Sequence, residues 1–127
     1  MSGGYWNHAN DTVASEILGY HIYVDYGLDS DRHAKYYKEV VRANPLGDPE
    51  VSALVYDVFC LLHSYDWAKS GDTDISAFHK DVAIFKDRWF KKARKDRIKE
   101  IIDISTDQLN EKLYQAFGFE HERDDEP

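Results

Sequence analysis

The chain has 127 residues, which suits one domain with a packed core and is short for two. Hydrophobic residues make up 43% of the chain and aromatic residues 14%, a composition that excludes a disordered protein. The formal net charge of −8 argues against a general nucleic-acid binder, because phosphate would be repelled at long range.

Membrane insertion and secretion are not expected from this sequence. The longest strongly apolar run, VFCLL at residues 58–62, is far shorter than a membrane span. The polar and aromatic start, MSGGYWNHANDT, lacks the pattern of a secretory leader. We therefore expect a cytoplasmic protein without membrane contact.

Helical periodicity predicts the first two helices and the connector between them. The first helix covers residues 10–19. Residues 20–28, YHIYVDYGL, have a strand-like composition but no evident partner strand, so we predict an extended connector. Asp29 or Ser30 then caps a second helix, which runs to residue 43 and ends at an Asn-Pro pair.

The third helix has the clearest signals. Asp48 is a good N-cap, and Pro49 suits the first turn, where its missing N–H costs nothing. The helix is expected to end near Lys69, before a Ser-Gly-Asp turn. Cys60, in the apolar run of this helix, is expected to be buried and inert. The predicted buried face consists of Val51, Leu54, Val55, Val58, Leu62 and Tyr65, with Phe59 beside them.

A fourth helix begins after Thr73 and leads into an unusually basic segment. Its apolar stripe consists of Ile75, Phe78, Val82, Phe85 and Trp89. The stripe fades within KDRWFKKARKDRIK, residues 86–99, which hold half of the chain's sixteen basic residues. Two arrangements fit: either the helix breaks near residues 93–96, or one long helix buries opposite faces against different partners.

A last helix is predicted from Ser105, which with Gln108 has the spacing of a capping box, to Gly118. The tail at residues 120–127, EHERDDEP, is strongly acidic and is predicted to be disordered. The predicted fold is therefore an all-α, single-domain bundle of about five helices over residues 1–119, followed by the acidic tail.

The basic segment is the first candidate for binding a partner. If the helix continues, a row of cations projects from one side: Arg88, Lys92, Lys95 and Lys99, flanked by Lys91 and Arg94. Such a row suits a phosphate backbone, an acidic protein groove or the chain's own acidic tail. The alternative is a solvated helix face with local acid–base pairs.

Two further groups of residues suggest contacts. Tyr20, Tyr23 and Tyr26 in the connector belong to a surplus of aromatics, and tyrosines often anchor protein interfaces. Packing between helices accounts for most of the other aromatics. An apolar group beyond the main stripe allows a homodimer and consists of Ile98, Ile101, Ile102, Leu109, Leu113 and Phe117.

Catalytic chemistry has little support. The sequence contains no nucleophile or nucleotide-binding motif, so we predict no catalytic residues and no cofactor. Asp57, His63, Asp66 and His79 could form a mixed nitrogen and oxygen metal site, but the spacings HxxxH and ExxH are missing. We predict no metal ligands, and a small metal-dependent helical enzyme stays an alternative.

Two stretches, YWNHANDTVASEILGY and LVYDVFCLLHSYDWAKSGDT, resemble small acidic proteins of phages and mobile elements of gut Firmicutes. Proteins of that kind are often inhibitors of host defence, anti-CRISPR proteins among them. The resemblance covers residues 5 to about 92 and implies a non-enzymatic inhibitor that binds a host protein or ribonucleoprotein, such as a CRISPR effector. The alternative from the residues themselves is a regulator that contacts nucleic acid through the basic segment alone.

Overall fold

The computed structural model describes the backbone of residues 8–71 and 73–116, and the side chains of these ranges up to residue 107. Within them it shows an all-α fold and no strand, which confirms the predicted fold class. The five α-helices are α1 (Ala9–Leu18), α2 (Asp31–Ala43), α3 (Pro49–Ser70), α4 (Ile75–Lys86) and α5 (Arg94–Ala116). A π-helical turn, Asp87–Lys91, continues α4 directly.

The ends of α2 and α3 follow local capping rules. The side chain of Ser30 accepts a hydrogen bond from a backbone N–H at the start of α2. Asp48 does the same at the start of α3, ahead of Pro49. Asn44 and Gly71 end the two helices in the left-handed conformation. The predicted start and end of α3 are confirmed to within a residue.

The connector between α1 and α2 is extended but pairs with no strand in the described chain, as predicted. Its side chains alternate as in a strand, so Ile22 and Val24 are buried and Tyr23 is exposed. The hydroxyl of Tyr56 on α3 donates to the Tyr23 carbonyl at 3.1 Å. This alternation inserts the connector into the core while Tyr23 faces outward.

The central helix α3 buries a different face from the predicted one. Val51, Leu62 and Tyr65 are 43%, 38% and 36% exposed, so the apolar stripe was only partly the buried face. The residues that are buried share small size or polarity: Ser52, Ala53, Tyr56, Asp57, Cys60, His63 and Asp66. Leu54, Val55 and Phe59 pack at the edge of the core. The helix can bury polar groups because other elements supply their partners, as described below.

The helix is interrupted at Lys92, whose backbone is extended, and α5 begins at Arg94. Of the two predicted arrangements, the structure therefore has the break. Ser105 does not begin a helix, because α5 is continuous through it, so that predicted start was wrong. Gly118 and the tail at 120–127 lie outside the described residues. No helix among the described residues is long and apolar enough to cross a membrane.

Candidate functional site

A carboxylate in the centre of the molecule organises the basic segment. Asp57 is fully buried, and three donors from other elements converge on it. His33 Nε2 of α2 donates to Oδ1 at 2.7 Å, since a carboxylate only accepts. Arg88 Nη1 and Trp89 Nε1, both of the π-helical turn, donate to Oδ2 at 2.5 and 2.8 Å. The buried charge is thereby paired and hydrogen-bonded.

Arg88 is held on two sides. Its guanidinium lies 4.7 Å from the centre of the Tyr37 ring, while it pairs with Asp57. Burial lowers the pKa of Arg88. The Asp57 carboxylate and Tyr37 raise this pKa by more than burial lowers it, so the net shift is upward. Burial also raises the pKa of the Tyr37 hydroxyl. Arg88 is therefore a charged structural element of the core.

Glu50, in the first turn of α3, holds the start of α5. Arg94 Nη2 and Arg97 Nη2 donate to its two oxygens at 2.9 and 3.1 Å. The hydrogen bonds from Arg94 and Arg97 lower the pKa of Glu50, although burial acts in the opposite direction. Arg97 also stacks over the Trp89 ring at 4.8 Å and donates to the Arg88 carbonyl. The helix α5 is thus fixed to α3 and to the π-helical turn together.

The predicted row of cations does not form. The row required a continuous helix, but the helix is interrupted at Lys92. In addition, the Arg88 guanidinium pairs with the buried Asp57 carboxylate. Lys91, Lys92 and Lys99 are exposed but pair locally with Asp87, Glu100 and Asp103. Arg94 is exposed and pairs with Glu50, and Lys95 is exposed with no ion pair among the described residues. Most of the positive charge in residues 86–99 is therefore compensated within the molecule.

The three tyrosines predicted to bind a partner differ in exposure. Tyr20 is 75% exposed and Tyr23 is 52% exposed. Tyr26 is half-buried, stacked on Tyr36 at 6.0 Å between ring centres. Tyr23 contacts the edge of the same Tyr36 ring at 5.6 Å. The structure thus places Tyr23 and Tyr26 against one buried ring, while Tyr20 and Tyr23 face solvent.

Carboxylates surround the exposed tyrosines. The hydroxyl of Tyr20 donates to Glu16 at 3.4 Å. Tyr23 shares with Asp11 and Asp25 the walls of a cavity of about 270 Å³ between α1 and the connector. We call Asp11, Glu16, Tyr20, Tyr23 and Asp25 the acidic aromatic face, which consists of two groups: Glu16 with Tyr20, and Asp11 and Asp25 with Tyr23. Aromatic side chains with carboxylates beside them are suited to a basic protein surface.

The four residues of the metal alternative are occupied differently. Asp57 is saturated by the donors described above, and His79 is exposed on α4. His63 stacks on Trp67 at 4.8 Å, and Asp66 is buried with a polar or ring partner of its own. Within the described residues, no three His, Cys, Asp or Glu side chains are arranged to hold a metal ion.

The apolar residues of the dimer hypothesis that the structure describes lie on different sides of α5. Ile101 is buried in the core, Ile98 is half-buried and Ile102 is 55% exposed. The side chains of Leu109 and Leu113 lie outside the described residues, as does Phe117. Only Ile102 thus offers a large exposed apolar surface in the described part of this group.

Sequence reasoning missed four residues that hold this site together: His33, Glu50, Trp89 as a hydrogen-bond donor, and Arg97. One signal was available. Asp57 stands alone in the long apolar run LVYDVFCLL, where a carboxylate survives burial only with cationic or N–H partners. One of the three arginines in the basic segment supplies such a partner, but the sequence does not say which Arg pairs with which carboxylate.

No protein-family model matches the chain, and neither a curated protein nor a solved structure matches it. The function therefore has to be argued from the geometry of the molecule alone.

Proposed function

We propose that this protein is a non-enzymatic inhibitor that binds a basic surface of a nucleic-acid-handling protein or ribonucleoprotein. The observation that carries the proposal is the acidic aromatic face, where Tyr20 and Tyr23 are exposed among three carboxylates. Exposed tyrosines anchor interfaces at low entropic cost. Carboxylates around them favour a positively charged partner and speed the encounter.

The distribution of charge supports the same partner class. Six of the eight cations in residues 86–99 pair with carboxylates of this chain, so they do not offset the acidic surface elsewhere. The acidic aromatic face carries three carboxylates, while Arg32 and Lys35 lie over the neighbouring Tyr26 and Tyr36 rings. A basic groove that normally holds phosphate has the charge to accept such a face. In its most specific form, which rests on the resemblance of residues 5 to about 92 to small acidic phage proteins, the proposal makes the partner a CRISPR effector.

The test measures guide-directed cleavage and target binding by a panel of CRISPR effectors, with and without the purified full chain. At least one effector is expected to lose target binding. Tyr20→Ala and Tyr23→Ala together should weaken inhibition at least about tenfold, as expected for interface anchors. Phe90→Ala is the matched control, because Phe90 is an exposed aromatic (73%) on the π-helical turn, outside the face.

Two results would contradict the proposal. Full cleavage and full target binding by every effector would remove its specific form. Equal losses for the tyrosine variant and for Phe90→Ala would remove the acidic aromatic face as the contact surface.

A second candidate function is nucleic-acid contact through the basic segment, since Lys91, Arg94 and Lys99 have side chains that are 70%, 74% and 77% exposed. Such a contact requires phosphate to compete with carboxylates of the chain for these cations.

A further inference from the structure

A second cavity lies directly beside the acidic aromatic face. It has a volume of about 210 Å³ and lies between the connector, α3 and α4. Asp25 lines both this cavity and the cavity of the face, so the two lie on either side of one carboxylate. About 10–15 Å³ is enough to admit one water, so this cavity has room for a group larger than a water molecule.

Two buried polar side chains in its wall have unused hydrogen-bonding capacity. His63 is 6% exposed and forms no hydrogen bond with any described residue. Asp81 is 5% exposed; its Oδ1 accepts from the Leu28 N–H at 3.1 Å, while its Oδ2 has no partner in the described chain. The free atoms of these two groups are accessible and line the cavity, so they are available to a polar occupant.

The chemistry of the remaining wall indicates the charge of that occupant. Asp25 and Asp81 bring two carboxylates, and Tyr26 and Trp67 bring aromatic rings. Carboxylates and aromatic faces are the two surfaces that bind a cation. Lys80, the cation next to Asp81 in sequence, pairs with Asp29 at 2.7 Å and does not line the cavity.

We propose that this cavity is a socket for the guanidinium group of an arginine side chain from the partner protein. A guanidinium fits better than an ammonium, because its planar fork matches carboxylates and its face stacks on rings. The inference rests on the proposed function: the acidic aromatic face binds the basic surface, and the socket takes one arginine from it.

The test uses the full chain alone and small probes, followed by amide chemical shifts in NMR. N-acetyl-arginine amide is expected to bind with a Kd on the order of 1 mM, as its size allows. The shifts should map to residues around Asp25, His63 and Asp81. N-acetyl-citrulline amide, which has the same shape without the charge, should bind at least about tenfold more weakly.

Two variants locate the binding. Asp81→Asn keeps an oxygen for the Leu28 N–H and removes the charge, and Asp25→Asn removes the charge at the rim. Each should weaken arginine binding about tenfold or more. Asp103→Asn on α5 is the control, because it removes an exposed carboxylate that pairs with Lys99 and does not line this cavity.

If N-acetyl-citrulline amide, or the lysine amide with a free ε-ammonium group, bound as tightly as the arginine amide, the guanidinium socket would be overturned. Equal losses of arginine binding in Asp25→Asn and Asp103→Asn would overturn it as well. This outcome is separate from failure of the proposed function. Arginine binding without inhibition of any effector removes the function and keeps the socket. Inhibition that depends on Tyr20 and Tyr23, with no arginine binding, removes the socket only.

Discussion

Replacing Asp57 by asparagine keeps the shape of the side chain and removes its charge. The asparagine oxygen can accept from the π-helical turn, and its NH₂ group then faces His33 Nε2, which accepts only if the ring changes tautomer. The guanidinium of Arg88, whose side chain is 23% exposed, loses its counter-ion. Breaking a buried ion pair by removing one partner costs about 3–5 kcal/mol of unfolding free energy. Since domains have about 5–15 kcal/mol in total, the variant should lose about a fifth of its stability or more.

Urea unfolding followed by circular dichroism measures this loss as a lower midpoint at an unchanged slope. Asp103→Asn is the control, because its exposed pair with Lys99 is worth about 0.2–1 kcal/mol. The double variant Asp57→Asn with Arg88→Met removes both charges. It should be less destabilised than the sum of the two single variants, because neither charge is left unpaired.

A loss in Asp57→Asn below about 1 kcal/mol, equal to that of the control, would refute the role given to Asp57. Simple addition of the two single losses in the double variant would show that Asp57 and Arg88 are not energetically coupled. Either result would mean that the Asp57–Arg88 pair does not fix the basic segment to the core.

Four further outcomes are expected. Because the folded-state pKa of Glu50 is lowered, its contribution to stability is present above its usual value of 4.5 and is lost as the pH falls through the folded value; Glu50→Gln should therefore flatten the acid side of the urea-midpoint profile. Cys60 is 1% exposed and burial raises its thiol pKa, so Ellman's reagent should react with it slowly until denaturant is added; fast reaction of the native chain would contradict its burial. Homodimerisation stays a prediction: light scattering should show mass above 14.8 kDa that falls in Ile102→Ser, and a constant 14.8 kDa at all concentrations counts against it. Anisotropy titration of labelled RNA and DNA at two salt concentrations should show no binding; micromolar, salt-sensitive binding that is lost in Lys95→Glu with Lys99→Glu would favour the nucleic-acid alternative.

Helix boundaries could be predicted where the signal is local. The Asp48-Pro49 start of α3 and its end before Gly71 depend on residues within one turn, so the sequence contains all the information needed. Ser105 shows the limit of this reasoning. Its spacing to Gln108 is that of a cap, but α5 already runs through it, and a capping box adds nothing inside a helix.

The buried face of α3 and the site around Asp57 could not be predicted in the same way. Hydrophobic periodicity assigns charged residues to solvent, so the predicted buried face of α3 left out Asp57 and His63. The residues that neutralise Asp57 lie 24 to 32 positions away in the chain. Burial of a charge depends on such distant partners, which single-sequence patterns do not record. The exposure of Tyr23 follows from the connector's alternation, whereas Tyr20 has the parity of the buried Ile22 and Val24 and is exposed because it lies in the turn after α1.

The attachment of the π-helical turn to Asp57 also determines how the molecule opens. Asp57 ties α2, α3 and this turn together, and Glu50 ties the start of α5 to the same helix. These segments should therefore exchange their amide hydrogens together, in one cooperative unit close to the global unfolding free energy. The outer turns of α1, which carry Asp11 and Glu16 of the acidic aromatic face, have no such buried ion pair in the described chain. A partner can thus reshape this part of the face at small energetic cost, while the Tyr56 hydroxyl holds the connector at Tyr23 and the polar centre keeps the rest of the bundle folded.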